Sequence, residues 1–88
     1  MGQDAVKNPV APVLAAAAAL AIAQRDASAA YRDLSVYRIQ LMLQDDGWHV
    51  DYELRDPRQK GGGPHYVIDA RTGNIASKRY EASKRYEQ

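Results

Sequence analysis

The chain has 88 residues, 12 of them basic and 11 acidic, a formal net charge of +1 and no cysteine. Those figures exclude several domains, a disulfide framework or thiolate metal site, and the overall basic excess from which nucleic-acid binders draw most of their affinity. A domain of this length buries roughly 60–65% of its unfolded surface, enough for one core between two layers and too little for a roomy enclosed active site.

The chain opens on a lead, residues 1–8. Asn8 then precedes Pro9, as a helix N-cap precedes a first-turn proline. Alanine dominates the segment after Pro9 and costs least to hold in a helix, so a long helix is expected over residues 9–31. Pro12 still falls in the first turn, where its missing N–H breaks no helical bond. At 3.6-residue spacing, Val10, Val13, Leu14, Ala17, Leu20, Ala21, Ala27 and Tyr31 lie near one face, while Gln24, Arg25, Asp26 and Ser28 make the later turns wetter. The apolar run Val10 to Ala23 also has the look of a short secretory signal ending in Ala-Ile-Ala. Asp4, the single Lys7 and the low hydrophobicity of alanine favour a structural helix. The expected location is therefore cytoplasmic, with the periplasm as the alternative if residues 1–23 act as a signal. The run is too short for a transmembrane span.

After Asp33 the period changes to two. Tyr37, Ile39, Leu41 and Leu43 alternate with Val36, Arg38, Gln40 and Met42, the pattern of a half-buried strand. Asp45-Asp46-Gly47 is a turn signal. Trp48, Val50, Tyr52 and Leu54 then alternate with His49, Asp51, Glu53 and Arg55. Residues 56–64 (DPRQKGGGP) read as a loop. His65 to Ala70 and Asn74 to Tyr80 are two further strands around the turn Arg71-Thr72-Gly73. Residues 34–80 are thus expected to form an antiparallel sheet of two hairpins. The fold class is α+β: one helix on one face of a four-stranded sheet. In the tail, residues 81–88, Ser83 to Glu87 repeat the Ser77 to Glu81 motif Ser-Lys-Arg-Tyr-Glu, an echo too short for a repeat fold.

Chemistry-bearing residues are few. His49, Asp51 and Glu53 point to one side of a strand, about 7 Å apart per step. A histidine with two carboxylates has the composition of a metal or acid–base site, but the polar face of an amphipathic strand explains it as well. Gly61, Gly62 and Gly63 lead into a strand, not into the helix N-terminus that a phosphate cradle needs. They read instead as an open, flexible loop flanked by Arg58 and Lys60, with His65 beside it. Lys78-Arg79 and Lys84-Arg85, beside Tyr80 and Tyr86, mix cation and ring as nucleic-acid binders do, but Glu81 and Glu87 interrupt them. No catalytic residue, metal or cofactor is expected, and no nucleic-acid partner. A single helix leaves the other sheet face bare, and that face would show Val36, Arg38, Gln40, Met42, His49, Asp51, Glu53, Arg55, Val67 and Asp69. Mixed charges and isolated apolar groups suit recognition of a protein, and a plain solvated sheet face accounts for them equally well. The expected contact residues are Arg38, His49, Asp51, Glu53, Arg58, Lys60, Gly61, Gly62, Gly63 and His65. The bare face or an edge strand also leaves a route to a homodimer.

Gly47-Trp48-His49-Val50-Asp51-Tyr52, then Gly61 to Pro64, then His65-Tyr66-Val67-Ile68-Asp69-Ala70-Arg71-Thr72-Gly73-Asn74-Ile75, together resemble a pattern in small bacterial toxin-immunity proteins with a nuclear-transport-factor-2-like fold. The shared features are a Trp-x-Val strand, a Gly-Gly loop, a strand ending in Ile-Asp, a Thr-Gly turn and a final short strand. The resemblance spans residues 46–80. It implies a non-catalytic protein that binds and neutralises a cognate toxin, and it supplies no residue-level site. The stretch Tyr66-x-Ile68-Asp69-x-x-Thr72-Gly73-x-Ile75 also resembles PepSY domains, which share the helix-then-strands order. That likeness implies an extracytoplasmic inhibitory or regulatory module.

Overall fold

The computed structural model describes residues 13–81. The chain is an α+β protein in which one helix packs against a four-stranded antiparallel sheet. Helix α1 spans Ala16–Ala30. Strands β1 (Tyr37–Gln44), β2 (Gly47–Leu54), β3 (His65–Ile68) and β4 (Ile75–Arg79) come next and lie in chain order across the sheet.

The helix begins later than the alanine run suggests. Val13 to Ala15 are not helical, and Ala15 is extended, with φ −67° and ψ 151°. The reason is tertiary. The Leu14 amide donates to the Ala70 carbonyl at 2.6 Å, and the Leu14 carbonyl accepts the Trp48 indole N–H at 2.7 Å. Both backbone groups of Leu14 are thereby committed to the sheet, and the first helical bond runs from Ala19 to Ala15. The expected Asn8-Pro9 start, Pro12 and the second copy of the tail echo lie outside the described residues.

The buried stripe of α1 is Ala19, Ala23 and Ala27, spaced four apart so that methyl groups alone separate helix from sheet. Of the expected face, Ala27 is buried and Leu14, Leu20 and Tyr31 pack against the core, whereas Val13, Ala17 and Ala21 are exposed and do not belong to it. Alanine on every side gives the pattern little contrast, so the sheet sets the rotation. Asp26, expected among the wet positions, shows how. Its carboxylate takes hydrogen bonds from the Tyr66 hydroxyl at 2.9 Å, Lys78 Nζ at 3.0 Å and the Tyr80 hydroxyl at 2.5 Å, which turns this side of the helix toward β3 and β4.

Two-residue turn chemistry joins β1 and β2. Gln44 faces Gly47 across Asp45-Asp46, and the register then pairs Leu41 with Val50 and Arg38 with Glu53. At the next turn the Asp69 carboxylate accepts the amides of Arg71 and Thr72 at 2.8 and 3.0 Å. The Gly73 amide closes back on the Asp69 carbonyl at 2.9 Å.

The core holds Val50 and Ile68 with three buried tyrosines, Tyr37, Tyr52 and Tyr66. Their rings stand edge-to-face in a row: Tyr31 on Tyr37 at 6.0 Å between centroids, Tyr37 on Tyr52 at 6.2 Å, Tyr52 on Tyr66 at 6.4 Å. Edge-to-face pairs of this kind add about 0.5–1.5 kcal/mol each beyond buried area. With no phenylalanine in the chain, the tyrosines supply the aromatic bulk of the core. Val36, expected on the bare face, precedes β1 and packs against this core instead.

A candidate protein-binding face

The face of the sheet away from α1 is built by strand alternation. Register places Arg38 beside Glu53. It sets Gln40, Asp51, His65 and Arg79 in one row across all four strands, and Met42, His49, Val67 and Ser77 in the next. Each row therefore crosses the sheet with its side chains on the same side.

Along β2, the trio His49, Asp51 and Glu53 does not converge. His49 Nε2 meets Asp46 Oδ1 at 2.7 Å, Asp51 Oδ1 meets His65 Nδ1 at 2.7 Å, and Glu53 meets Arg38 at 3.3 Å. Three side chains on one strand thus take partners in three directions. Among the described residues no group of three or more histidine and acidic side chains is gathered as metal ligands.

The His65 side chain bridges two partners. Its second nitrogen, Nε2, meets Glu81 Oε2 at 2.8 Å, and Glu81 is also 3.5 Å from the Arg79 guanidinium. The ring is thus held between two carboxylates, one at each nitrogen. The contacts Asp51–His65, His65–Glu81 and Glu81–Arg79 tie β2, β3, β4 and the chain just after β4 together. A shallow cavity of about 240 Å³ lies over it, lined by His49, Asp51, His65, Val67, Ser77 and Arg79.

The glycine segment differs from the open loop expected. Gly61 is exposed with φ +96°, but Gly62, Gly63 and Pro64 are buried. The Gly63 amide donates to the Tyr52 carbonyl at 3.2 Å and the Tyr52 amide to the Pro64 carbonyl at 3.1 Å. These bonds extend the β2–β3 pairing beyond His65. A Cβ on Gly63 would stand 2.7 Å from the Tyr52 Cβ and 3.0 Å from the Tyr37 ring. The glycine is there so that the chain can lie on the tyrosine row. In this conformation Gly62 and Gly63 offer no outer surface, whereas Arg58, Lys60 and Gly61 do. Arg58 folds onto Asp56, with Nε 3.0 Å and Nη2 3.1 Å from its two oxygens.

Several carboxyls are held below their ordinary range. The His49 ring does this for Asp46, the Arg58 side chain and amide for Asp56, and the Thr72 and Arg71 amides for Asp69. Asp26 is lowered chiefly by the Tyr80 hydroxyl, then by Lys78 and Tyr66, against an opposing burial effect. Burial and the bond to Asp26 push the Tyr66 hydroxyl far up.

The sequence pattern anticipated the exposed charges of this face. It missed Glu81 and Arg79, which close the row, and Asp46, which holds His49. The Asp45-Asp46-Gly47 turn carried a signal for Asp46, since a turn residue one place before β2 lies within reach of a side chain early in that strand. Among the described residues no helix is long and apolar enough to cross a membrane. Compared with family models, curated proteins and solved structures, the chain finds no match.

Proposed function

We propose that this domain is a non-catalytic protein-binding module that works through the sheet face opposite α1. The observation that carries this reading is the layer arrangement. One helix covers one side of the sheet, and the other presents Arg38, Glu53, Asp51, His65 and Arg79 at fixed strand spacing around the apolar Met42 and Val67. Opposite charges held at fixed spacing give orientation and specificity, and the apolar groups give area. Arg58, Lys60 and Gly61 extend the surface at one end.

The partner we assign is a cognate bacterial toxin, neutralised by occlusion of its active site or of the approach to it. This assignment rests on the resemblance of residues 46–80 to toxin-immunity proteins. The domain acts in the cytoplasm of the producing cell. The test is genetic. Deleting the gene for this chain is expected to make cells sensitive to a toxin encoded beside it, and expression in trans to restore growth. Unchanged survival with that toxin present would sink the assignment.

A second reading is favoured by one observation. The helix precedes a four-stranded meander whose last hairpin is the Ile68-Asp69-x-x-Thr72-Gly73-x-Ile75 segment, the order and motif of PepSY-like inhibitory modules. That reading expects export of the native product, so cell fractionation that finds it wholly cytosolic weighs against it.

A further inference from the structure

The two edges of the sheet are unlike. The β4 edge is five residues long and carries Lys78 and Arg79, and its pairing with β3 is irregular between Val67 and Ile68. Short length, basic side chains and irregular pairing are the usual protections of an edge. The β1 edge lacks the first and the last and has a single basic side chain. It is eight residues long, regularly paired with β2, and bears one charge, Arg38.

The direction of its free backbone groups is set by the turn. A two-residue turn makes Gln44 and Gly47 a hydrogen-bonded pair, and beyond the other end of the strand the Arg55 amide donates to the Val36 carbonyl at 2.9 Å. Even-numbered residues of β1 therefore bond to β2, and the N–H and C=O groups of Ile39, Leu41 and Leu43 point outward. Their side chains lie on the helix side of the sheet. Because α1 packs over β2 and β3, Ile39 is left 41% exposed and Leu43 46% exposed. Among the described residues, an unpaired backbone edge thus coincides with the exposed apolar side chains of Ile39 and Leu43, with Leu41 between them packed partly against the core.

We infer that β1 is a self-association edge, at which a second copy of this chain pairs antiparallel to give a continuous eight-stranded sheet. The choice of a second copy comes from the strand itself, which is nearly palindromic about Leu41. A two-fold axis through Leu41 and normal to the sheet sets Ile39 against Leu43 of the second copy, and Leu41 against its own equivalent. On the opposite face Gln40 meets Met42, and Arg38 meets Gln44. Each opposed pair matches apolar with apolar on the helix side, and no like charges meet. The edge is separate from the sheet face proposed to bind a toxin, so either surface can fail without the other. A strand of eight residues runs only about 27 Å. The contact falls below the standard interface of about 1,600 Å², which makes the dimer weak, with a dissociation constant of roughly micromolar to millimolar.

Sedimentation equilibrium of the full chain over about three decades of concentration tests this. The expected result is a monomer–dimer equilibrium that Ile39→Lys weakens at least about tenfold. Adding Leu43→Glu to that variant places opposite charges across the two-fold axis and restores the dimer. In the unaltered chain, hydrogen exchange at the amides of Ile39, Leu41 and Leu43 should slow as concentration rises, a readout that does not depend on any variant folding. A monomer at every concentration, a dimer indifferent to Ile39→Lys, or exchange at those amides independent of concentration would overturn the proposal. So would a strand from a different protein found paired at this edge in place of the second copy.

Discussion

At Gly47 a side chain has nowhere to go. A Cβ there would stand 2.3 Å from the Ile68 carbonyl oxygen, and the residue has φ +129°. Both the neighbour and the dihedral belong to backbone, so neither can relax cheaply. Gly47→Ala is expected to cost more than about 2 kcal/mol in chemical denaturation, among the larger single-residue effects. Tyr52 poses the reverse case. Its ring is 1% exposed, and its hydroxyl is buried without a hydrogen-bond partner among the described residues. An unpaired buried hydroxyl costs free energy that a phenylalanine of the same shape does not. Tyr52→Phe should therefore leave stability unchanged or raise it by up to about 1 kcal/mol, read from the denaturation midpoint at constant slope. Tyr66→Phe should lose stability, because that hydroxyl donates to Asp26. Alternation showed that Tyr52 lies on the core side of β2. It could not show which tyrosine hydroxyls find acceptors, because that depends on a helix residue, Asp26, whose rotation the alanine-rich pattern leaves open.

Among the elements, the strands were more legible than the helix. The change of period from 3.6 to 2 after Asp33, and the turn signal Asp45-Asp46-Gly47, made the β1–β2 hairpin readable, whereas the structure places Gly47 in β2 opposite Gln44 and so fixes the register that pairs Arg38 with Glu53. The β2–β3 register was not readable in this way. Nothing in the composition of a loop reveals that Gly63 and Pro64 already pair with Tyr52, so the segment looked open. The helix limits and phase depended on contacts distant in sequence. Leu14 is held by Ala70 and Trp48, and Asp26 by Tyr66, Lys78 and Tyr80. The Asp26 cluster is the tie between helix and sheet, and its effect on stability has a definite sign. The carboxyl is held below its unfolded value of about 3.9. The stability it contributes is therefore fully present above pH of about 4 and lost as the pH falls through the folded value. Asp26→Asn is expected to lower stability by about 1 kcal/mol at neutral pH, the low end for bonds to a charged group because the site is partly wet. The gap between the two proteins should close as the pH is lowered below about 4 in urea unfolding. A gap that stayed constant down to low pH would mean that Asp26 acts through packing and not through charge.

At the scale of the whole molecule, the described residues form a helix on one face of a four-stranded sheet and leave the other face open. Five members of the expected contact set, Arg38, His49, Asp51, Glu53 and His65, do lie on one side of the sheet. Strand alternation and the β1–β2 turn together made that much readable. The closing of the row by Arg79 and Glu81 was not readable, because it needs the β3–β4 register and the position of the chain after β4. A tagged full-length chain used to capture partners from its native cells, analysed by mass spectrometry, addresses the binding reading most directly. It should be compared with the outer-face variant Arg38→Glu/Arg58→Glu/Lys60→Glu and the helix-side variant Arg25→Glu. The proposed function predicts one dominant protein with toxin features, retained by Arg25→Glu and lost with the outer-face charges reversed. Recovery of that partner by the outer-face variant, or of nothing beyond the chain itself, would contradict it.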